Sequence, residues 1–249
     1  MSNSEIYRPK AHTPPTTFFT SIRFKIRLLI DFHMLSVYRI VKPFLGRVHG
    51  NVLDLGCGES PYRFLMNENQ AKYYGVDIAD AEKFDYNKTD ITHFDGKHIP
   101  FENDFFDTII CTEVLEHVED YQILVDDIYR VLKQNGEAII TIPWSARYHY
   151  IPYDYFRFTP SALSKIFSQF KDVKIQNRGT EVTTIAAKII VLYFKNIFPS
   201  TTWRYVFTPL WFLAFTPMFL IAVLFGHLSF LTNFGNDSDP LGYTILLKK

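Results

Sequence analysis

Residues 51–58, NVLDLGCG, confine this chain more tightly than any other stretch. An apolar run carries one acid, Asp54, and then breaks into Gly56, Cys57 and Gly58. In an α/β protein the end of the first buried strand is where the backbone turns sharply beside a nucleotide-like ligand. Glycines there permit an approach that a Cβ would block. Asp54, Gly56 and Gly58 are therefore candidate binding residues. A dinucleotide fingerprint would have a third glycine at position 61, which is Pro61, and no Lys-Ser or Lys-Thr closely follows the glycines as in a phosphate loop. The corner is thus of nucleotide-binding type, but neither of the two commonest kinds.

The rest of the chain reads as a sheet built outward from that corner. Strands are expected at 51–55, 72–78, 106–112, 137–143 and 172–178, with a weak third strand between 84 and 104. Helices are expected over PYRFLMNE (61–68) and over DYQILVDDIYRVLKQNG (120–136). Leu124, Ile128 and Val131 share one face of the latter, and Gly136 serves as its stop signal. Thr159 followed by Pro160 marks the start of another helix, SALSKIFSQF. Strands alternating with helices imply a parallel sheet covered on both faces. The 47% hydrophobic content of 249 residues is enough to bury one. Asp77 closes the second strand, where an acid can accept hydrogen bonds from both ribose hydroxyls of an adenosine ligand.

Four segments in order, VLDLGCG, YYGVD, HIPFENDFFDTIICTEVLEHVED and RVLKQNGEAIITIP, resemble the successive motifs of class I S-adenosylmethionine-dependent methyltransferases of the type 11 branch. The resemblance covers about residues 48–178 and the last strand. It implies a Rossmann-like seven-stranded sheet, S-adenosylmethionine as cofactor, and methyl transfer as the reaction. It also implies roles. Asp54 orders the glycine loop near the methionine amino group, Gly56, Cys57 and Gly58 lie along methionine and ribose, and Asp77 holds the ribose with Ile78 against the adenine. Thr112 and Glu113 face the methionine end. The acid that meets the adenine amino group is either Asp95, with Gly96, or Asp90. The family usually has a further glycine where this chain has Ser60.

Methyl transfer from a sulfonium needs alignment more than covalent help, and a general base only if the acceptor must lose a proton. His117, in TEVLEHV, has the type of a base but also suits a structural role. The aromatic loop 144–160 places His149 and Asp154 near Tyr153 and Arg157, either as an acceptor pocket or as a lid packed on the sheet edge. No metal ligands are expected. The two cysteines, Cys57 and Cys111, offer neither a disulfide framework nor a CxxC spacing.

Between Tyr205 and Asn236 there is no Asp, Glu, Lys or Arg. The chain divides on this reading into a flexible tail (1–17), an amphipathic helical segment (18–47), the methyltransferase core (48–179), a hydrophobic helical insertion (180–240) and a last strand of the core (241–249). The apolar run is long enough to span a bilayer. A single crossing would strand the last segment on the far side, so the insertion must return, with Pro217 as the expected bend. Residues 205–236 are expected to touch a membrane surface, helped by Arg23, Lys25 and Arg27, with a homodimer interface as the alternative. The acceptor is expected to be a small molecule, glycan, lipid or lipid-linked intermediate. Zero net charge argues against nucleic acid. The expected location is cytoplasmic, on the inner face of the membrane. Rival readings are a membrane-bound protein that has kept the fold without catalysis, and a nicotinamide-dependent oxidoreductase.

Overall fold

The computed structural model describes residues 14–78, 91–199 and 201–249. Its centre is a seven-stranded sheet of β1 (Gly50–Leu55), β2 (Ala71–Ile78), β3 (Ile91–Phe94), β4 (Phe106–Thr112), β5 (Leu132–Pro143), β6 (Asp172–Arg178) and β7 (Gly242–Lys248). The spatial order is β3-β2-β1-β4-β5-β7-β6. The first five strands run parallel, and β7 is antiparallel to both β5 and β6. This is the Rossmann-like arrangement expected from the sequence, and the last strand does return to the sheet.

The pleat sorts the central strands onto two covered faces. Leu53, Leu55, Ile109, Cys111, Ala138 and Ile140 point to one face. There they meet Leu124, Val125, Ile128 and Val131 of α3 (Tyr121–Val131), and Leu163 of α4 (Pro160–Ile166). Val52, Ile110 and Ile139 point to the other face, against Val37, Val41, Phe44 and Leu45 of α2 (Phe32–Leu45). The amphipathic segment 18–47 is therefore two helices with different fates. α2 is capped by the Asp31 carboxylate on the Met34 N–H (3.0 Å) and covers the sheet. α1 (Phe18–Ile30) buries only Phe24 and leaves Phe18, Phe19, Ile22, Ile26 and Leu29 exposed.

Three local expectations fail. The helix expected to stop at Gly136 ends at Val131, because Leu132 is wholly buried and pairs with Phe106 at the start of a longer β5. Asn135 takes a left-handed φ, and a Cβ on Gly136 would sit 2.8 Å from Leu132 Cδ1, so that glycine permits a close approach rather than a helix stop. PYRFLMNE forms only a 3-10 turn over Arg63–Leu65, with Tyr62 and Met66 drawn into the core on either side. Finally, Pro217 does not reverse the chain. α5 (Glu181–Ile197) and α6 (Thr208–Thr232) do form a hairpin between β6 and β7, but α6 runs unbroken through Pro217 and the chain reverses before it. The Thr216 hydroxyl bonds the Phe212 carbonyl (2.5 Å) in the turn preceding the proline.

The hairpin is tied firmly to the sheet at its base. Phe32 of α2, 1% exposed, inserts among Ala186, Ala187, Ile190, Ala222 and Phe230. Thr184 Oγ1 bonds the Asp239 carbonyl (2.9 Å), Trp144 Nε1 bonds the Asp239 carboxylate (3.0 Å), and Thr180 and Ser229 meet through their hydroxyls (2.7 Å).

Candidate active site

The carboxyl ends of β1, β2, β4 and β5 share one edge of the sheet, and this edge collects the predicted binding residues. Arg178, ending β6, and Gly242, opening β7, pair there too, opposite Pro143 of β5. The helical hairpin therefore leaves and re-enters the core at the same edge as the glycine corner.

Asp54 is buried in β1 and accepts a hydrogen bond from the Tyr73 hydroxyl (2.7 Å), a partner that sequence reading did not supply. Gly56 has φ +70°, and a Cβ there would fall 2.3 Å from Val114 Cγ2. Backbone strain and space thus both demand glycine. The Gly56 and Cys57 N–H groups both point to the Val76 carbonyl (2.8 and 3.2 Å), and the Cys57 side chain is buried. Gly58 N–H instead donates to Asp77 Oδ2 (2.7 Å), while Ile78 N–H donates to Asp77 Oδ1 (2.8 Å). Burial pushes the Asp77 carboxyl up, against those two bonds that favour its charge. Its remaining lone pairs are held in a fixed direction beside the loop.

Gly96 lies next to Ile78, with space for a Cβ 3.6 Å from Ile78 Cγ2, and β3 pairs Phe94 with Ile78. Asp95 follows immediately. Its Oδ1 accepts from the Lys97 and His98 N–H groups (2.8 and 2.7 Å), and its Oδ2 meets His98 Nδ1 (3.1 Å). The His98 and Lys97 N–H bonds hold its carboxyl down to about 2. It is an exposed loop acid beside Ile78. The alternative acid, Asp90, lies outside the described residues.

Beyond Thr112, Glu113 adopts a left-handed φ and its N–H bonds the Thr141 carbonyl (3.0 Å). The turn aims its carboxylate at Arg178, whose Nη2 lies 2.6 Å from Glu113 Oε1. The Arg178 side chain is fully buried, and it also donates to the Ile142 carbonyl (2.9 Å), the Tyr243 carbonyl (3.3 Å) and Ser36 Oγ (3.0 Å). Nothing in DVKIQNR distinguishes this arginine from a solvated strand end. Its burial is a product of the β6–β7 hairpin. His33 and Tyr62 sit in the same field. Burial, followed by the Glu113 charge, raises Tyr62, while burial outweighs Glu113 and lowers His33. A cleft of about 790 Å³ opens beside Arg178, between Ser36 of α2, Asn177, Thr180, Ser229 of α6 and Asp237.

The three residues considered for acid–base chemistry lie together, but in unequal roles. Asp154 is buried against Arg157 (2.6 and 2.9 Å) and the His149 N–H (2.9 Å). Burial opposes its charge, but those partners and the His149 ring hold its carboxyl below the usual range. Its carboxylate is thus engaged by Arg157 and by the backbone and ring of His149. His117 Nδ1 is 2.7 Å from the Tyr153 carbonyl, so that nitrogen carries the proton and Nε2 the lone pair. Burial lowers its pKa, more than the Tyr153 bond raises it. Glu116 is wholly buried, and burial followed by the Glu113 charge pushes its carboxyl well up.

Residues 53–140 match the family model described as a methyltransferase domain. Over 129 residues the chain is 33% identical to a tRNA U34 carboxymethyltransferase of Nautilia profundicola, covering 47% of this chain and 43% of the relative. Over 132 residues it is 26% identical to a demethylmenaquinone methyltransferase of Oceanobacillus iheyensis, covering 47% and 56%. The chain thus spans about half the length of the curated relatives it matches. In fold it is similar to the crystal structure of a SAM-dependent methyltransferase from Archaeoglobus fulgidus, with a TM-score of 0.55 at 21% identity, over 91% of this chain and 99% of that one.

Proposed function

We propose that this chain, whose residues 53–140 form a class I methyltransferase domain of the type 11 branch with S-adenosylmethionine as its cofactor, transfers the sulfonium methyl group to an acceptor delivered at a membrane surface. The observation that carries the first half is the Asp77 carboxylate. Gly58 and Ile78 fix it beside a glycine turn that closes on Val114, so a ribose finds its acceptor oxygens already oriented. The chemistry then rests on alignment. The methyl group is already activated, and holding donor and acceptor in line supplies most of what catalysis requires.

What supports a membrane-borne acceptor is the placement of the apolar hairpin. α5 leaves β6 and α6 returns to β7 at the edge where Asp77 and Glu113 stand, and most of α6 is exposed. Both ends of the hairpin lie on one side, so it dips into or lies along an interface without crossing it. Trp203 and Tyr205, exposed near its turn, suit the headgroup level. The cleft between α2 and α6 is lined by Arg178, whose guanidinium pairs with Glu113, so it lies one ion pair from the site. A tRNA-modifying relative leaves the expected exclusion of nucleic acid without support. The apolar hairpin and zero net charge favour a glycan, lipid or lipid-linked acceptor over it.

Calorimetric titration of the full chain in detergent with S-adenosylmethionine and S-adenosylhomocysteine tests the cofactor reading. Binding of both is expected, with a loss of at least about tenfold in Asp77→Ala, since a hydrogen bond to a charged group is worth about 1.5–3 kcal/mol. Absence of binding by either ligand would overturn it.

A further inference from the structure

We propose that Glu116, His117 and His149 bind a divalent first-row transition-metal ion of the zinc or manganese kind at the acceptor end of the active site. The cluster is invisible as a spacing, because His149 comes from the loop after β5 and the other two residues from the turn after β4. The fold nevertheless brings one ligand atom of each within 4.8 Å of the others.

Three independent features of the cluster point to a ligand. First, Glu116 is 0% exposed, and neither carboxylate oxygen bonds another described residue. A buried carboxyl with nothing to receive its lone pairs is costly, and the rare cases in native proteins call for an occupant. Second, His117 Nε2 is also buried without a hydrogen-bond partner, 3.6 Å from Glu116 Oε1. Third, both imidazoles are already oriented as metal ligands are. His117 Nδ1 is held by the Tyr153 carbonyl (2.7 Å), and His149 Nδ1 by the Arg147 carbonyl (2.9 Å) and the Asp154 carboxylate (3.0 Å). Each ring therefore carries its proton on Nδ1 and offers the Nε2 lone pair, the pattern in which a carbonyl or carboxylate behind a histidine sets its tautomer. The Arg157 pair behind Asp154 extends that support one layer further.

Two imidazoles and one carboxylate suit zinc, manganese, iron or cobalt better than calcium or magnesium, and three protein ligands leave coordination positions open. Resting on the methyltransferase reading above, an acceptor hydroxyl in an open position would bind through oxygen and lose its proton to solvent at neutral pH. The oxygen pair then forms the bond to the methyl carbon as the carbon–sulfur bond breaks. Its electrons stay on sulfur, and the sulfonium becomes a neutral thioether. The site thus selects an oxygen acceptor that can reach a metal ion.

The test is metal binding by the full chain in detergent after chelator dialysis, followed by elemental analysis, zinc calorimetry and the absorption of added cobalt(II). One ion per chain is expected, with the intense visible bands of a low-coordinate cobalt site. Affinity should fall at least about tenfold in His149→Ala and in His117→Ala, and about 10–100-fold in Asp154→Asn, which leaves the ligands but loosens one of them. His49→Ala, on an exposed residue away from the cluster, should bind as the parent does. His149 lies on a loop, so its variant keeps the test alive if Glu116→Gln fails to fold. Substoichiometric binding, or binding that ignores His117 and His149, overturns the proposal. S-adenosylmethionine titrated alongside separates the two readings. Intact cofactor binding without metal sinks this inference alone, and metal without cofactor sinks the proposed reaction instead.

Discussion

At the scale of single residues, the active edge is organised by a cation that the sequence hides. Arg178 spends its donors on two carbonyls, Ser36 and Glu113, and so fixes the acid at the end of β4 from across the sheet. Arg178→Ala leaves a part-buried carboxylate unpaired and three further acceptors short of a donor. We expect a loss of about 3 kcal/mol, the lower end of the range for breaking a buried pair, because Glu113 retains some solvent contact. Chemical denaturation measures this, and Glu113→Gln in the same background should return part of the loss. A change below about 1 kcal/mol would contradict the assigned role. Asp95 gives a prediction in pH. Its folded value of about 2 lies below the ~3.9 of an unfolded aspartate. The loop bonds therefore contribute stability above about pH 4 and lose it as pH falls toward 2. A carbon-detected NMR titration of Asp95 should show a midpoint near 2, and Asp95→Asn should differ from the parent at pH 7 but not at the acid end. A midpoint near 4 would mean the loop does not hold its carboxylate as described.

At the scale of elements, what was legible follows period and punctuation. The strands 106–112 and 172–178 appear with the expected bounds, and Thr159 caps α4 through its hydroxyl on the Ala162 N–H (3.3 Å). Such signals are local, so sequence carries them. Where tertiary contacts decide, reading fails: Leu132 leaves the helix for the sheet because its buried side chain and its pairing with Phe106 outweigh another helical turn. Asp54, Gly58 and Asp77 were legible because a turn writes them into adjacent motifs. Tyr73, Arg178 and the Glu116–His117–His149 grouping were not, since each depends on segments far apart in sequence. The contact between α2 and α6 is of this second kind. A Cβ on Gly226 would fall 2.0 Å from Phe32 Cε2, so the glycine is the socket for that ring. Gly226→Val should cost about 1–3 kcal/mol by overpacking, and hydrogen exchange should show α6 loosening before the sheet does. Phe32→Leu should recover part of the loss. A Gly226→Val protein as stable as its parent would show that α2 and α6 are not docked in this way.

At the scale of the whole molecule, the unresolved physical demand is the surface of the hairpin. Leu210, Leu213, Leu220, Leu224 and Leu231 are all more than half exposed, and with no Asp, Glu, Lys or Arg on α6 the helix has no charged face to turn outward. A continuous apolar surface of this size is unfavourable in water and needs a cover. α1 adds a second apolar row through Ile22, Ile26 and Leu29, with Arg23 and Lys25 exposed beside it, whereas Arg27 is engaged with Asp31 (3.2 Å). An interfacial helix with exposed cations gains about 1 kcal/mol per cation on an anionic surface, and this part is screened by salt. Apolar burial of α6 is not. Vesicle sedimentation should therefore show binding to neutral vesicles, tighter binding to anionic ones, and a salt dependence confined to the second. Leu213→Glu combined with Leu224→Glu should abolish pelleting while leaving S-adenosylmethionine affinity unchanged, because α6 stands outside the glycine corner. Should the parent chain stay in the supernatant and run as a dimer that the same double substitution splits, the hairpin is a subunit interface. The acceptor would then have to reach the active edge from solution.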